Sequence, residues 1–465
     1  MPKIRIFKQY VHVPYALLAL AESVLLFGAL YLAASVRFLG DFSAIEQYVG
    51  PLLPRAAAFA VVMLIGLSSM GLYHVHQETR FRSLFLRLAL GLGLGWLGLA
   101  FLYYAVPDLY AGRGILAIAV LITLMLVPLI RPVFYRLIDD STFKQKALIL
   151  GAGKNAHSLV NQLDNASGLV VVGCVPSEGE DPQVTEELVK NIPAGGLRQF
   201  CARAKVEEII VAADDRRSSF PMKDLLECKL SGMRIVEQMS YFEREQGRVR
   251  LDLLYPGWLV FCDGCNRSAV RMATKRTFDV VVSSLLLVAS LPIMLATAVA
   301  IRLEDGLRAP LLYRQRRIGE AGEVFEVLKF RSMSVDAEKD GKAKWASKND
   351  SRVTRVGSFI RKTRIDELPQ IFNVLRGDMS FVGPRPERPE FVETLEKDIP
   401  YYAERHFVKP GITGWAQIKY PYGASIEDAK AKLEFDLYYV KNNSLLLDLY
   451  VLISTAEVVL FGKGQ

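Results

Sequence analysis

Long apolar runs dominate the first third of the chain. Residues 14–36, 51–73, 84–106 and 114–135 are each predominantly apolar. About 20 such residues are enough for a helix to cross a bilayer. The pattern therefore predicts a four-helix transmembrane domain over residues 1–140. The first run has no small-residue cleavage site after a short apolar core, so we interpret it as an anchor.

The charges around these runs predict their orientation. Basic residues precede the first run, separate the second from the third, and lie near the end of the fourth or after it: Lys3, Arg5, Lys8, Arg80, Arg82, Arg131, Arg136, Lys144 and Lys146. The other two loops carry Asp41, Glu46 and Asp108 with fewer cations. Because cytoplasmic loops carry an excess of Lys and Arg, we expect both ends of the bundle to be cytoplasmic.

One ionisable side chain interrupts the first run. Glu22 lies inside it, where an ionised group costs roughly 2.5 kcal/mol or more at mid-bilayer. We therefore expect Glu22 to face another helix or to be protonated. A packed or interfacial position is a simpler interpretation than a functional role.

The periodicity changes after the fourth run. Four short strands separated by helical stretches are predicted, at residues 147–150, 169–175, 208–213 and 233–236. Between the first strand and the following helix lies Gly151-Ala-Gly153-Lys-Asn-Ala156, a GxGxxA turn. This combination predicts a Rossmann-like α/β domain over residues 141–265.

The end of the second strand does not settle whether this domain binds a nucleotide. The strand ends in Val175-Pro176-Ser177 without the acidic residue that binds a ribose, while Glu178 and Glu180 follow in a predicted loop. Both nucleotide binding and a structural or regulatory role are therefore compatible with the sequence.

A fifth apolar run covers residues 280–301 and contains Ser290-Leu291-Pro292. Basic residues flank it on both sides: Arg267, Arg271, Lys275 and Arg276 before it, and Arg302, Arg308, Arg314, Arg316 and Arg317 after it. A crossing here would export the basic remainder of the chain, against the charge bias. Because Pro292 removes a helical hydrogen bond and offers a bend, we predict a re-entrant hairpin at about residues 278–303.

The segment beyond the hairpin is more polar. Residues 311–316 and 324–330 are predicted strands, and residues 355–363 a helix. Residues 336–350 are charged and without periodicity, which indicates a mobile loop. Residues 444–461 are apolar but contain acidic positions, which favours an amphipathic helix over a crossing.

Two adjacent carboxylates, Asp366 and Glu367, follow the predicted helix. Asp is a good N-cap and Pro369 suits a first turn, so a helix beginning at Asp366 is predicted. Its buried face would comprise Leu368, Ile371, Phe372 and Leu375. A carboxylate pair at a helix N-terminus is held ionised by the helix dipole.

The charges near this pair bear on its chemistry. Arg361, Lys362 and Arg364 lie just upstream, and an ionised Asp beside cations can act as a nucleophile toward phosphorus. Most adjacent carboxylates are solvated surface residues, which is the alternative. Downstream, Pro and Gly residues predict a rigid backbone around Arg385. This rigidity could orient the Arg385 side chain toward a phosphate, or it could simply reflect an ordinary turn.

Composition supports a membrane protein with anionic partners. The 465 residues are 51% hydrophobic and carry a net charge of +8, which attracts lipid head groups, nucleotides or nucleic acid without choosing among them. All five cysteines lie between Cys174 and Cys265, so a disulfide framework is not expected and a reducing cytosol is favoured. Cys262-Asp-Gly-Cys265 is a single CxxC without a second pair, and metal or redox use is not expected.

Six elements of the last two-fifths of the chain form a specific set: Lys275-Arg276-x-Phe278-Asp279, the apolar hairpin with Pro292, Lys329-Phe330-Arg331, Asp366-Glu367-Leu368-Pro369-Gln370, Pro384-Arg385-Pro386 and Lys409-Pro410-Gly411. In these elements the chain resembles the bacterial sugar transferases, the monotopic polyprenol-phosphate phosphoglycosyl transferases. The preceding spans and Rossmann-like unit look like the long-form members. One departure is Leu291, where the family often has Ser before Pro292; Ser290 lies one position earlier.

The resemblance implies a fold class in three parts: a membrane α-helical bundle, an α/β Rossmann-like domain, and a mainly α-helical (α+β) monotopic catalytic domain over residues 266–465 with the re-entrant membrane hairpin. It also implies a location, the bacterial inner membrane, with the catalytic domain on the cytoplasmic face. The implied partners are a UDP-sugar, polyprenyl phosphate and membrane lipid; a homodimer is possible, and no nucleic acid is expected.

The resemblance also implies a two-step reaction. Asp366 would attack a UDP-sugar and release UMP, and undecaprenyl phosphate would take the phosphosugar from Asp366, initiating an exopolysaccharide, capsule or O-antigen type glycan. Glu367 would hold Mg²⁺. The substrate phosphates would be bound by Lys329, Arg331, Arg361 and Arg385, while Ser290 and Pro292 would shape the membrane hairpin.

The main alternative is a membrane-bound nucleotide-sugar dehydratase or epimerase, whose N-terminal half has the same pattern. Its catalytic half would need a second Gly-rich NAD motif and a Tyr with Lys four residues later, and neither occurs after residue 265. A non-enzymatic membrane scaffold would leave the carboxylate pair and Arg385 unexplained.

Overall fold

The computed structural model describes residues 3–6, 9–73, 81–138, 145–163, 169–177, 179–192, 196–214, 221–255, 257–258, 268–306, 309–334, 352–421, 423 and 425–461. The chain divides into two compact units, residues 1–246 and 247–465. The three-domain division with boundaries at 140 and 265 stays a prediction.

The first unit begins with a helical part. An antiparallel strand pair, β1 (Lys3–Ile6) and β2 (Gln9–His12), leads into helices α1 (Val13–Arg37), α2 (Phe42–Tyr48), α3 (Leu52–Ser69), α4 (Phe81–Ala105) and α5 (Arg113–Ile138). Helices α1, α3, α4 and α5 are long and apolar enough to cross a membrane. The four apolar runs are therefore helical, although α3 ends at Ser69, before the predicted limit of 73.

Glycines allow α3 and α4 to pack closely. A Cβ on Gly66 would lie 2.4 Å from the carbonyl oxygen of Gly91, and a Cβ on Gly95 would lie 2.7 Å from the sulfur of Met63. Small residues let helix backbones approach in this way, which is a common source of helix association in membranes.

Glu22 faces another helix, as the sequence predicts. The fully buried guanidinium of Arg131 donates from Nε to Oε1 of Glu22 at 2.8 Å and from Nη2 to Oε2 at 2.9 Å. Tyr73 also donates to Glu22, and Nη1 of Arg131 donates to the carbonyl of Leu72 at 3.0 Å. The buried charge is therefore fully paired, which joins α1 to α5 and to the turn after α3.

The rest of the first unit is an α/β fold. Its parallel sheet contains β3 (Gln145–Leu150), β4 (Leu169–Val175), β5 (Glu208–Val211) and β6 (Arg234–Glu237) in the order β4-β3-β5-β6. The helices are α6 (Lys154–Gln162), α7 (Gly196–Ala204), α8 (Met222–Leu230) and α9 (Gln238–Gln246). The four strands were predicted within two residues at each end because buried parallel strands are continuous apolar runs.

The cysteines of this fold are structural. Cys174, Cys201 and Cys228 are buried free thiols, and Cys201 and Cys228 belong to the hydrophobic core. Burial raises the pKa of Cys201 to about 12, so this thiol is unreactive at neutral pH. Cys262 and Cys265 lie outside the described residues.

The second unit combines one long helix with small strand pairs and shorter helices. Its helices are α10 (Ala269–Asp305), α11 (Arg355–Lys362), α12 (Gln370–Arg376), α13 (Pro389–Asp398), α14 (Trp415–Lys419), α15 (Ile426–Asn442) and α16 (Leu445–Phe461). Strands β7 (Leu312–Ile318) and β8 (Val324–Phe330) pair antiparallel, and β9 (Ser380–Val382) and β10 (Gly411–Thr413) pair parallel. The charged loop predicted at residues 336–350 lies outside the described residues.

The segment predicted as a re-entrant hairpin falls within helix α10. It is helical from Ala269 to Asp305, with Pro292 inside it, so the two predicted arms form one helix. Pro292 cannot donate to the carbonyl four residues earlier, yet the flanking turns keep the chain helical on both sides. The described helix is also long and apolar enough to cross a membrane.

Both ends of α10 contact the same folded unit. Near its start, Lys275 donates to Oδ2 of Asp448 at 2.7 Å, and Oδ1 of Asp279 accepts from the backbone N–H of Phe381 at 2.9 Å. Near its end, Glu304 accepts from the backbone N–H of Arg355 at 2.8 Å. Both ends of α10 are therefore held against the same unit.

Candidate active site

The two carboxylates lie in a tight turn between α11 and α12. Arg364 adopts a left-handed conformation with φ of 59°, and residues 365–367 form a single 3₁₀ turn. Helix α12 begins only at Gln370, with Pro369 as its N-cap. The predicted helix start at Asp366 is therefore wrong, because the left-handed residue and the proline confine the pair to a separate turn.

The predicted buried face of this helix is also corrected. The buried residues of α12 are Gln370, Ile371, Asn373 and Val374, whereas Phe372 is exposed. Asn373 is buried because its side chain bonds to strand β8: Nδ2 donates to the carbonyl of Glu326 at 2.7 Å, and Oδ1 accepts from Leu328 N at 2.9 Å. These bonds rotate the helix away from the orientation that apolar periodicity alone predicts.

Asp366 is 8% exposed and lines a cavity of about 560 Å³. Within the described part of the chain, its carboxylate accepts no hydrogen bond. Burial and the charge of Glu367 raise the pKa of Asp366, and the cations of Lys329, Arg364 and Arg385 oppose that rise. Its carboxylate is thus available to a bound molecule while being surrounded by positive charge.

Glu367 is held by cations. Nη2 of Arg385 donates to its Oε1 at 2.6 Å, Nζ of Lys329 donates to the same oxygen at 3.0 Å, and Arg364 lies 3.8 Å away. Burial opposes ionisation, but Arg385 and Lys329 outweigh it and hold the pKa of Glu367 well below its usual range. Glu367 is therefore ionised.

The cavity is strongly basic. Basic side chains outnumber the acidic Asp366, Glu367, Glu387 and Asp436 in its lining, and they are Arg317, Lys329, Arg331, Arg352, Arg361, Arg364, Arg385, Arg388, Arg405 and Lys432. Such a site suits polyanions, above all phosphate groups.

All four residues predicted to bind phosphate line this cavity. Lys329 and Arg385 contact Glu367, while Arg361 comes from the last turn of α11. Arg331 is buried and donates from Nη2 to Asp305 at 2.6 Å. Its Nε and Nη1 have no hydrogen-bond partner among the described residues, so two donors are available to a bound anion.

Sequence reasoning missed Arg405. It is buried, its Nη2 donates to Oδ2 of Asp436 at 2.7 Å and to the carbonyl of Arg385 at 3.0 Å, and its Nη1 donates to Tyr402 at 2.6 Å. Arg405 therefore fixes the backbone from which Arg385 reaches Glu367. Its position next to His406 in the chain gave no periodic or motif signal of this role.

The membrane-hairpin residues lie apart from the carboxylates. Ser290 is buried, with long contacts to the carbonyl of Leu287 at 3.5 Å and to the sulfur of Met294 at 3.6 Å, and Pro292 is exposed. Neither lines the cavity. Helix α10 instead contributes Leu286 to its wall.

Part of the cavity lining, here called its less polar wall, comes from two apolar helices. Leu286 of α10 and Val458 of α16 line it, together with Thr455, whose hydroxyl shares a 2.7 Å hydrogen bond with that of Thr413. Thr413 in turn accepts from the backbone N–H of Gly383 at 2.9 Å, just before the Arg385 segment. One cavity thus joins the carboxylates to side chains of the apolar helices.

Comparison with known proteins identifies the class. Residues 270–462 match the family described as bacterial sugar transferase. The chain is 31% identical over 386 residues to an uncharacterized sugar transferase of Haemophilus influenzae, covering 77% of this chain and 79% of that protein. This chain belongs to the bacterial sugar transferase family.

Two further relatives have more specific names. The chain is 30% identical over 367 residues to the undecaprenyl-phosphate galactose phosphotransferase of Salmonella typhimurium, covering 73% of this chain and 74% of that protein. It is 42% identical over 240 residues to the UDP-N-acetylgalactosamine-undecaprenyl-phosphate N-acetylgalactosaminephosphotransferase of Aeromonas hydrophila. That alignment covers 52% of this chain but only 55% of the relative's length.

Proposed function

We propose that this protein transfers a sugar 1-phosphate from a UDP-sugar to a polyprenyl phosphate, with undecaprenyl phosphate as the expected acceptor, and releases UMP. The observation that carries the proposal is Asp366, a buried carboxylate with no hydrogen-bond partner among the described residues, facing a basic cavity. The names of the relatives from Salmonella typhimurium and Aeromonas hydrophila support the same reaction class.

In the first step a carboxylate oxygen of Asp366 attacks the phosphorus next to the sugar. A bond forms between that oxygen and phosphorus, and the bond from phosphorus to the bridging oxygen breaks, so that UMP leaves with the electron pair. The product is a sugar-phosphoryl aspartate. Lys329 and Arg385 lie at the carboxylate pair, where they neutralise charge that develops on the phosphate oxygens.

In the second step an oxygen of the lipid phosphate attacks the same phosphorus. The bond from phosphorus to the Asp366 oxygen breaks, which regenerates the carboxylate and gives a polyprenyl diphosphate sugar. Both steps place anions beside Asp366 in turn, so one set of cations serves both. The unpaired Nε and Nη1 of Arg331 supply additional donors in the same cavity.

The residues present fit a Mg²⁺ ion. The described residues contain no group of three or more His, Cys, Asp or Glu that could hold a metal, but Mg²⁺ is usually bound by one or two carboxylates together with substrate phosphates. Oε1 of Glu367 is occupied by Arg385 and Lys329, and its Oε2 accepts no hydrogen bond in the described chain. Glu367 would hold the ion through Oε2, and the bound ion would neutralise the diphosphate of the UDP-sugar.

The lipid acceptor would reach the cavity from the membrane. Leu286, Thr455 and Val458 form the less polar wall. Leu286 lies in the uncharged stretch 280–301 of α10, and the other two lie on the mainly apolar α16. A polyprenyl chain lying along this wall would place its phosphate toward Arg331 and Asp366. The contact of both ends of α10 with one unit supports a re-entrant helix, since a crossing helix would place its ends on opposite sides of about 30 Å of hydrocarbon.

The charge pattern supports a cytoplasmic active site in a bacterial inner membrane. The basic residues on both sides of α10 favour one membrane face, and UDP-sugars are cytosolic. Products of this reaction initiate exopolysaccharide, capsule or O-antigen type glycans, which is the expected context.

The test uses the full chain in lipid nanodiscs made without polyprenyl phosphate, with Mg²⁺ and a panel of UDP-sugars. We expect one UDP-sugar to release UMP in an amount equal to the enzyme when no acceptor is present, and continuous turnover once polyprenyl phosphate is added. Asp366→Asn should lower both by at least roughly 10³-fold. Glu396→Gln on the exposed side of α13 is the matched control and should remain active. Full activity of Asp366→Asn would overturn the proposal.

A further inference from the structure

The turn after strand β3 has the sequence of a phosphate-binding turn. Gly151 has φ of 121°, and α6 begins at Lys154 after Gly153. In dinucleotide-binding βαβ units, the N–H groups of this turn and of the first helical turn bind the pyrophosphate. The occupancy of these N–H groups therefore decides whether a dinucleotide can bind.

Asp214 occupies the start of helix α6. It follows strand β5, and its Oδ2 accepts from the backbone N–H of Lys154 at 2.8 Å while its Oδ1 accepts from that of Asn155 at 2.9 Å. The carboxylate thus binds two adjacent helix N-terminal N–H groups in the bidentate manner of a phosphate.

Glu180 occupies the turn itself. It follows strand β4, on the other side of β3, and its Oε2 accepts from the backbone N–H of Ala152 at 2.9 Å and of Ser177 at 3.0 Å. Its Oε1 accepts from the backbone N–H of Asp214 at 2.8 Å. The two carboxylates are therefore linked to each other and to the ends of three adjacent strands.

The steric contacts agree with the hydrogen bonds. A Cβ on Gly153 would lie 2.2 Å from Oδ2 of Asp214 and 3.2 Å from Cγ of Glu180. The open side of this glycine, which lets a pyrophosphate approach the backbone in dinucleotide-binding proteins, is filled by the acidic side chains.

We infer that this turn is a self-occupied anion site, in which Asp214 and Glu180 take the places of the two phosphates of a dinucleotide. A dinucleotide would have to displace two carboxylates that accept five backbone hydrogen bonds, and its own negative charge would meet theirs. The site therefore binds no dinucleotide. Instead, the hydrogen bonds of the two carboxylates hold together the loops that follow β3, β4 and β5.

The first test is a titration of the full-length protein in lipid nanodiscs with NADH, followed by nucleotide fluorescence. We expect no saturable signal. Saturable binding at one NADH per chain, lost in the Gly153→Ala variant, would overturn the inference. Because this readout is independent of UMP release, its outcome is separate from that of the proposed enzymatic activity.

The second test measures the thermal midpoint with sodium sulfate or with sodium chloride at equal ionic strength. Asp214→Ala vacates the two helix N–H groups, so sulfate should raise its midpoint in a saturable manner at low concentration. The wild type should show only the gradual, non-saturable rise that sulfate causes by its exclusion from protein surfaces. Asp181→Ala, which removes an exposed carboxylate close by in the chain, is the control and should behave as the wild type. A saturable, sulfate-specific rise in the wild type, or no saturable rise in Asp214→Ala, counts against the inference.

A double-mutant cycle tests the contact itself. Gly153→Ala should lower the thermal midpoint of the wild type, because the new Cβ meets Oδ2 of Asp214, and should lower it less in the Asp214→Ala background. Equal losses in both backgrounds would mean that the carboxylate does not occupy this place.

Discussion

Arg385 donates a hydrogen bond from Nη2 to Oε1 of Glu367 across 2.6 Å. Lys329 donates to the same oxygen at 3.0 Å, and Arg405 fixes the carbonyl of Arg385 at 3.0 Å. Glu367 is thereby held ionised through one oxygen, while the other accepts no hydrogen bond in the described residues. The neighbouring Asp366 accepts none at either oxygen from any residue that the structure describes, which separates the roles of the two carboxylates in our proposal.

The variant Glu367→Gln tests the proposed metal role. The amide keeps the size of the side chain but loses the charge that a cation needs. We expect the Mg²⁺ concentration for half-maximal UMP release to rise by about 10- to 100-fold. The assay is UMP release against MgCl₂, with Glu396→Gln as the control. An unchanged Mg²⁺ requirement in Glu367→Gln would remove Glu367 from the metal site.

A larger side chain on the less polar wall of the cavity should weaken the binding of polyprenyl phosphate and leave the reaction with the UDP-sugar unchanged. Val458→Trp adds bulk at one residue of this wall. Losing contact with two methylene groups of the lipid would raise the KM for polyprenyl phosphate by about tenfold, and UMP release without acceptor should stay unchanged. Val299→Trp, at an exposed position of α10, is the control. An equal loss in both half-reactions would show that the lipid does not lie along this wall.

Cysteine labelling tests the membrane placement of α10. In a cysteine-free chain, Thr274→Cys and Leu303→Cys place thiols at exposed positions near its two ends. A re-entrant helix makes both accessible to an impermeant reagent from the cytoplasmic side alone. Tyr48→Cys, at the last residue of α2, should be labelled from the opposite side. Labelling of residues 274 and 303 from opposite sides would mean that α10 crosses the membrane.

The pair Glu22 and Arg131 should be important for stability. Glu22→Gln leaves the buried Arg131 without its counter-charge, which typically costs about 3 kcal/mol or more. The thermal midpoint in detergent should fall clearly, while Glu46→Gln at an exposed position should change it little. Adding Arg131→Met to Glu22→Gln should recover part of the loss, and no recovery would argue against an uncompensated charge.

His406 should make the second unit acid-sensitive. Burial, together with Arg405, lowers the pKa of His406 from 6.5 to about 4. Below pH 6.5 the unfolded chain takes up a proton that the folded chain binds only near pH 4. The free energy of unfolding should therefore decrease as pH falls between these values, by roughly 3 kcal/mol in total.

The measurement for His406 is the thermal midpoint between pH 7 and pH 4.5. His406→Asn should flatten its acid-side decline, and His157→Gln, at an exposed histidine, should leave the decline as in the wild type. An identical decline in His406→Asn would assign the acid sensitivity to other groups.

Local patterns in the sequence predicted much of the architecture. The four apolar runs and strand β8, predicted at residues 324–330, are found close to their predicted positions, because hydrophobic periodicity depends on neighbours along the chain. The motifs around Asp366 and Arg385 were likewise sufficient to indicate the family. These features are determined within short stretches of sequence.

Other features were decided only by tertiary structure, because they depend on partners far apart in the chain. The exposure of Phe372 depends on bonds from Asn373 to strand β8. Glu22 finds Arg131, 109 residues away, and Arg405 fixes Arg385 from a segment without a motif. At the GxGxxA turn, the glycine pattern is that of a nucleotide site. However, the backbone N–H of Lys154 in this turn donates to Asp214, which lies 60 residues further along the chain. Such pairings are set by packing, so no local pattern contains them.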